Sequence, residues 1–242
     1  MIPLRDANPT RRTPVITLTI IVLCTLFFGW EVGLLVSGGE AALDAFVSQW
    51  GVVPADISAA VDQRQLGSLA LLTLVTSQFL HGSWLHLGGN MLFLWIFGNN
   101  IEDRMGPLPF LAFYLVGGIV ADLTQVAIDP TATAPLIGAS GAIAAALGAY
   151  LVLFPRARIQ SLVFLGFFYQ LIAVPAIIVL GFWFVLQLID GVAALGIPAA
   201  EQPGVAFFAH IGGFLFGVLV ALAMRRFGGY ARRMPEAPPL VG

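Results

Sequence analysis

From Pro14 to Ser37 the chain runs for 24 residues with one charged side chain, Glu31. As a helix rising about 1.5 Å per residue, such a run crosses the ~30 Å hydrocarbon core of a bilayer. Other apolar runs follow along the chain, and together they leave too few charges to coat a water-soluble surface. Charged residues make up 10% of the 242 positions and apolar residues 59%, against about 25% and about 45–50% in a soluble domain. A soluble globule is excluded, and a multi-span membrane protein remains. The net charge of −2, without a basic patch, excludes nucleic acid as a natural partner. Cys24 is the single cysteine, so no intrachain disulfide forms and thiols say nothing about compartment.

The segment Met1–Thr13 is polar and carries Arg5, Arg11 and Arg12. No small-residue cleavage site follows the first apolar run, which therefore reads as a first span and not as a removed signal peptide. The run Leu66–Phe79 is too short and too polar to cross a bilayer and is expected to be interfacial or re-entrant. Further spans are expected at about Trp84–Ile101, Leu108–Val126, Gly138–Phe154, Ala173–Ile189 and Val205–Met224. The stretch Ile159–Ile189 has no charge but exceeds one span, so Pro175 is expected to divide an interfacial stretch from the fifth helix. Six spans put Arg5, Arg11, Arg12, Arg104, Arg156, Arg158, Arg225, Arg226, Arg232 and Arg233 on one side and only Arg64 on the other. By the positive-inside rule both termini are cytoplasmic. The expected organisation is a cytoplasmic segment 1–13, a six-span domain 14–226, and a disordered cytoplasmic tail 227–242.

Polar side chains in hydrocarbon are costly and mark function. The arginines closing the second, fourth and sixth spans allow their depth to be measured. His210 precedes Arg225 by 15 residues, Ser140 precedes Arg156 by 16, and Asn90 precedes Arg104 by 14. These separations put the three at about 21–24 Å above the inner boundary, with His86 one turn higher at about 27 Å. Four polar groups from three helices thus share one level just below the outer surface. From Gly138 to Ala149 only Ile143 and Leu147 are larger than Gly, Ala or Ser, which suits a helix at the centre of a bundle. The sixth span carries Ala209, Gly213, Gly217 and Ala221 at four-residue spacing, and His210 shares a face with Gly213 and Gly217.

Each feature alone has a plainer explanation. Serine among small residues is most often helix packing, and a lone intramembrane histidine is most often a hydrogen-bonded structural group. Zinc is disfavoured because His81 and His86 face differently, with no cysteine or carboxylate beside them. It is the shared depth that makes a joint site.

At these residues the chain resembles the rhomboid family of intramembrane serine proteases. The matching motifs are His81-x4-His86-x3-Asn90, Glu102-x-Arg104-x-Gly106, Gly138-Ala139-Ser140-Gly141 and Ala209-His210-x2-Gly213-x3-Gly217. The resemblance covers about Thr76 to Ala223 and is closest to the basic six-span bacterial form. It implies an all-α membrane bundle of six transmembrane helices with a long, partly membrane-embedded first loop. It further implies Ser140 as nucleophile, His210 as general base and acid, and His86 and Asn90 as oxyanion donors beside the Ser140 backbone N–H. His81 matches a structural position that stabilises the first loop. Two departures stand out. The first loop lacks the family's common Trp-Arg pair, and Ala144 stands where many members carry a tyrosine against the catalytic histidine.

A serine hydroxyl needs a neighbouring base to become a nucleophile. None of the three helices bearing these groups has an acid at that depth, so a dyad is expected and not a triad. The expected activity is a serine-type endopeptidase, without cofactor or metal, in the plasma (inner) membrane. Its substrates would be single-span membrane proteins cut near their outer end, reaching the site near the second and fifth spans, among membrane lipids. The sequence leaves the oligomeric state open. An inactive, client-binding relative would be expected to lack the serine or histidine, and both are present. A channel would spread polar residues through the membrane, whereas Leu92–Gly98, Leu147–Phe154 and Phe214–Ala223 are apolar.

Overall fold

Helix α1 (Val15–Trp50) opens with its first-turn N–H groups lacking intrahelical partners, as every helix does. A distant carboxylate meets them: Glu102 accepts from the Ile16 and Thr17 N–H groups and from the Thr17 hydroxyl, each at 2.8 Å. The computed structural model describes residues 2–65, 67–165, 168–195 and 205–227. The tail expected to be disordered lies outside the described residues except for Phe227. At Gly39 the backbone turns left-handed (φ 71°), which kinks α1 two residues beyond the expected end of the first span.

Beyond the kink come α2 (Pro54–Asp62), α3 (Leu69–Thr76) and a single 3₁₀ turn at Ser77–Phe79. These short pieces form the first loop and bury Val52, Ile57, Leu74 and Val126 in a small apolar cluster apart from the main core. None is long enough to span. The second span is one continuous helical run built from α4 (Trp84–Phe93), a π-helical turn at Leu94–Gly98 and α5 (Asn99–Met105). Gly106, at φ 88°, permits the tight reversal into α6 (Pro107–Ile128). Together with the Glu102 cap, this gives a physical reason for the glutamate and the glycine of the Glu-x-Arg-x-Gly motif.

Helix α7 (Ser140–Leu153) is the centre of the bundle, buried from Gly141 through Tyr150. Its neighbours are α6 and α9 (Phe207–Phe227). The α7–α9 contact is backbone on backbone. A Cβ at Gly213 would collide with the Gly141 carbonyl, one at Gly217 with the Ala145 carbonyl, and one at Gly148 with the Phe214 carbonyl. Only glycine lets helices approach this closely, and lipid supplies no hydrophobic drive to compensate a looser fit. Helices α1, α6, α8 (Ala176–Ala194) and α9 are each long and apolar enough to cross a membrane. With the run from Trp84 to Met105 and the shorter α7, they make an all-α membrane bundle.

A small sheet is added at the arginine-rich end. The stretch before Pro175 is a β-hairpin, β2 (Arg158–Leu165) with β3 (Phe168–Pro175), joined by β1 (Ile2–Asp6) in the antiparallel order β1-β2-β3. β-Branched and aromatic residues such as Ile159, Val163, Tyr169, Ile172 and Val174 favour extended backbone. The N-terminal segment is therefore docked. Asp6 accepts from Asn100 Nδ2 and from the Tyr150 hydroxyl, each at 2.7 Å, and burial pushes its carboxyl above the usual range.

Candidate active site

The chain enters α7 through a loop tied down on both sides. Val52 and Leu136 exchange backbone hydrogen bonds at 2.9 and 2.7 Å, and the Gly138 N–H donates to the Ser77 carbonyl at 2.9 Å. Gly138 has φ 130°, a conformation other residues rarely adopt. A Cβ there would also meet the His86 ring at 2.8 Å, so glycine is required twice over. Ser140 is the first residue of α7, where backbone N–H groups lack helical partners and the helix dipole favours negative charge. That geometry can receive a negatively charged oxygen.

His210 lies in the first turn of α9, on the face carrying Gly213 and Gly217. Close approach of α7 and α9 brings its Nε2 to 2.8 Å from Ser140 Oγ. Its other ring nitrogen, Nδ1, lies 2.6 Å from Gln187 Oε1 on α8. The partners settle the tautomer. For Ser140 O–H to donate to Nε2, that nitrogen must carry its lone pair, so Nδ1 bears the proton and donates to the amide oxygen. Trp183, one turn before Gln187 on α8, packs against the imidazole with ring centroids 5.9 Å apart. It fills the role left open by Ala144, which is fully buried on α7.

His86 and Asn90 lie one turn apart on α4, whose start is capped by Ser83 Oγ accepting the His86 N–H at 3.1 Å. Their polar ends converge above Gly138: an added Cβ there would be 2.8 Å from His86 Nε2 and 3.7 Å from Asn90 Nδ2. Asn90 is 8% exposed, and its Nδ2 is buried with no hydrogen-bond partner among the described residues. An orphaned buried donor costs about 1–3 kcal/mol. Here it faces Gly138, two residues before Ser140.

His81 is buried in the non-helical turn before α4, and its backbone N–H donates to the Glu31 carboxylate at 3.2–3.3 Å. The different facing expected for His81 and His86 does not keep them apart: the two rings make edge contact at 5.2 Å. The helical spacing rule fails for His81 because it precedes the helix. Among the described residues, no three His, Cys, Asp or Glu side chains gather where they could hold a metal. The sequence reading also missed Gln187, Trp183 and the inward role of Glu31. The signal was available for Gln187, since a polar residue in a chargeless span is costly, but only acids were sought as partners for His210. Asp122, the acid on α6, accepts from Ser77 Oγ at 3.2 Å.

The family model described as the rhomboid domain matches residues 69–227. "Rhomboid protein 1, mitochondrial" of Saccharomyces cerevisiae is 35% identical over 97 residues, 38% of this chain and 28% of that protein. "Presenilin-associated rhomboid-like protein, mitochondrial" of Homo sapiens is 31% identical over 155 residues, 60% of this chain and 36% of that protein. "Rhomboid-like protein 11, chloroplastic" of Arabidopsis thaliana is 39% identical over 69 residues, 28% of this chain and 24% of that protein. The matched stretch thus spans about a third or less of the length of these relatives.

Proposed function

The chain belongs to the rhomboid family, a family of intramembrane serine proteases, and on that premise we propose that it is an active endopeptidase using a Ser140–His210 dyad. The observation that carries this reading is the 2.8 Å contact between Ser140 Oγ and His210 Nε2 at the start of α7. His210 takes the hydroxyl proton as Ser140 Oγ attacks the scissile carbonyl. The resulting oxyanion accepts hydrogen bonds from the Ser140 N–H, Asn90 Nδ2 and neutral His86. Donors fixed before the charge develops are worth about 3–4 kcal/mol each. The imidazolium then gives its proton to the leaving amine. Water, deprotonated in turn by His210, hydrolyses the acyl-enzyme and restores the serine.

The proposed substrates are single-span membrane proteins cut near the outer end of their helix, and the proposed working domain of this chain is residues 14–226. The arginine partition supports an orientation with both termini on the cytoplasmic side, and the membrane proposed is the plasma (inner) membrane. A fluorophosphonate probe followed by peptide mapping tests the mechanism. Label is expected on Ser140 alone, and Ser140→Ala and His210→Ala should each abolish cleavage of a model transmembrane substrate while the solubilised fold persists. Label elsewhere, or near-normal cleavage by either variant, would reject the dyad.

A further inference from the structure

Gln187 is the one side chain on α8 that hydrogen-bonds His210 in the described structure, and the bond is made to the nitrogen the reaction leaves spare. We propose that Gln187 is the positioning residue of the base, holding His210 in its Nδ1–H tautomer and lending its amide oxygen to the imidazolium as that forms. The inference rests on the protease reading and adds a third member to the dyad.

Three observations support it. The Nδ1 to Oε1 distance of 2.6 Å and the Nε2 to Oγ distance of 2.8 Å form one relay, Ser140 to His210 to Gln187, across α7, α9 and α8. A relay with this polarity is self-consistent only if an acceptor faces Nδ1, and an amide oxygen is one. Second, Gln187 and Trp183 share a face of α8 at i and i+4. Trp183 lies against the ring of His210 and also packs on Phe214, one turn further along α9. The ring is thus flanked by Trp183, tilted at 39° to it, and hydrogen-bonded by Gln187, two contacts that oppose its rotation. Third, the acids elsewhere do not compete. Asp122 is hydrogen-bonded to Ser77, and no carboxylate contacts His210 in the described structure.

An amide suits this location. A carboxylate would stabilise the imidazolium more strongly, but a permanent charge within a membrane helix is expensive. Glutamine supplies an acceptor of fixed direction with no net charge. In the described structure its hydrogen bond is to His210, so it acts on the reaction through the base.

The test uses the full chain, solubilised, with Gln187→Leu, Gln187→Met and Gln187→Glu. The measurements are kcat and KM on a model transmembrane substrate, the rate of fluorophosphonate labelling at Ser140, and thermal melting. Removing the acceptor in the Leu and Met variants should lower kcat and labelling about 10- to 100-fold, part of the ~10²–10⁴-fold that a positioned general base contributes. KM should stay within about twofold, because the proposed role of Gln187 is to position the base and not to bind substrate. Gln187→Glu restores an acceptor and should recover most of the labelling rate. Two acceptor-free variants are used so that one folding failure does not decide the question. Leu or Met variants that label and turn over within about twofold of wild type would overturn the proposal. So would a Glu variant that falls as far as they do, since a purely packing role is indifferent to acceptor chemistry. Wild-type protein that fails to label at Ser140 would overturn the protease reading and this inference together; normal wild-type labelling that is indifferent to Gln187 would overturn the inference alone.

Discussion

Replacing Gly213 by alanine adds one methyl group at the point where α9 rests on α7. The new Cβ would collide with the Gly141 carbonyl oxygen, and it would sit 3.1 Å from the carbonyl carbon and 3.4 Å from Ala121 Cβ. A comfortable C···O contact is about 3.3–3.6 Å, so the two helices must part by roughly 1 Å. Overpacking of this kind costs about 1–3 kcal/mol, while exchanging helical glycine for alanine returns up to about 1 kcal/mol. The net stability loss is therefore modest. Activity should suffer more, because Gly141 follows Ser140 directly and Gly213 lies one turn after His210. A displacement near 1 Å at a reacting pair can cost about 10²-fold. Gly213→Ala is thus expected to melt a few degrees lower, yet cleave a model transmembrane substrate about 100-fold more slowly. Gly33→Ala on α1, where nothing lies within 4 Å of an added Cβ, is the matched control: it should leave cleavage unchanged and melt no lower than wild type. Cleavage by Gly213→Ala within about threefold of wild type would show that the seam does not set the Ser140–His210 distance.

Asn90→Ala should lower kcat about 10-fold to 10³-fold with little change in KM, because its bond forms to the oxyanion and hardly to the ground-state carbonyl. The melting temperature should not fall, since Asn90 Nδ2 has no partner to lose and its removal relieves an unmet donor; a lower melting temperature with normal kcat would make Asn90 a packing residue instead. Cleavage should be indifferent to EDTA, and loss of activity restored by zinc would reopen the His81–His86 pair, whose rings already touch.

The spans were legible because a bilayer imposes a length and a polarity that few sequences meet by chance. Asn90, Ser140 and His210 could be placed at one level by counting residues to the closing arginines, as all three lie on helices of known rise. His81 could not be placed that way, because it falls in the turn before α4 and helical phase does not extend there. The sheet was hidden for a different reason. β2 and β3 occupy a chargeless stretch whose composition suits membrane and strand equally, and β1 lies in a polar segment where a single strand has no visible partner. The pairing of Ile2–Asp6 with a hairpin more than 150 residues later is a tertiary fact. Gln187 escaped because depth was measured only on helices ending in arginine, whereas α8 starts at the arginine-rich end and closes on the other side.

The hydrogen-bond inventory of the site separates scaffold from chemistry. Several buried polar groups around it are committed: Glu31 to the His81 N–H, Ser77 O to Gly138, Ser77 Oγ to Asp122, and Gln78 Nε2 to the Leu74 carbonyl. In lipid this satisfaction is enforced, since no bulk water competes for a stranded donor. Asn90 Nδ2 shares the lack of a partner with Ser68 Oγ, Gln78 Oε1, His81 Nε2, the Tyr114 hydroxyl and Gln125 Oε1 among the described residues, and it is the amide donor among them that faces Gly138. On the proposed mechanism, its unmet hydrogen bond is a free-energy cost carried in the resting state and removed when negative charge appears beside it. A group serving only helix packing would be under pressure to find a partner among its neighbours. A group serving an oxyanion must stay unpaired until the carbonyl oxygen arrives, because a donor already occupied would have to break one bond to make another. The same logic explains why the seam between α7 and α9 is glycine. Preorganisation requires that Ser140, His210 and the donors stand within hydrogen-bond reach before substrate arrives, and only backbone contact holds two helices that closely.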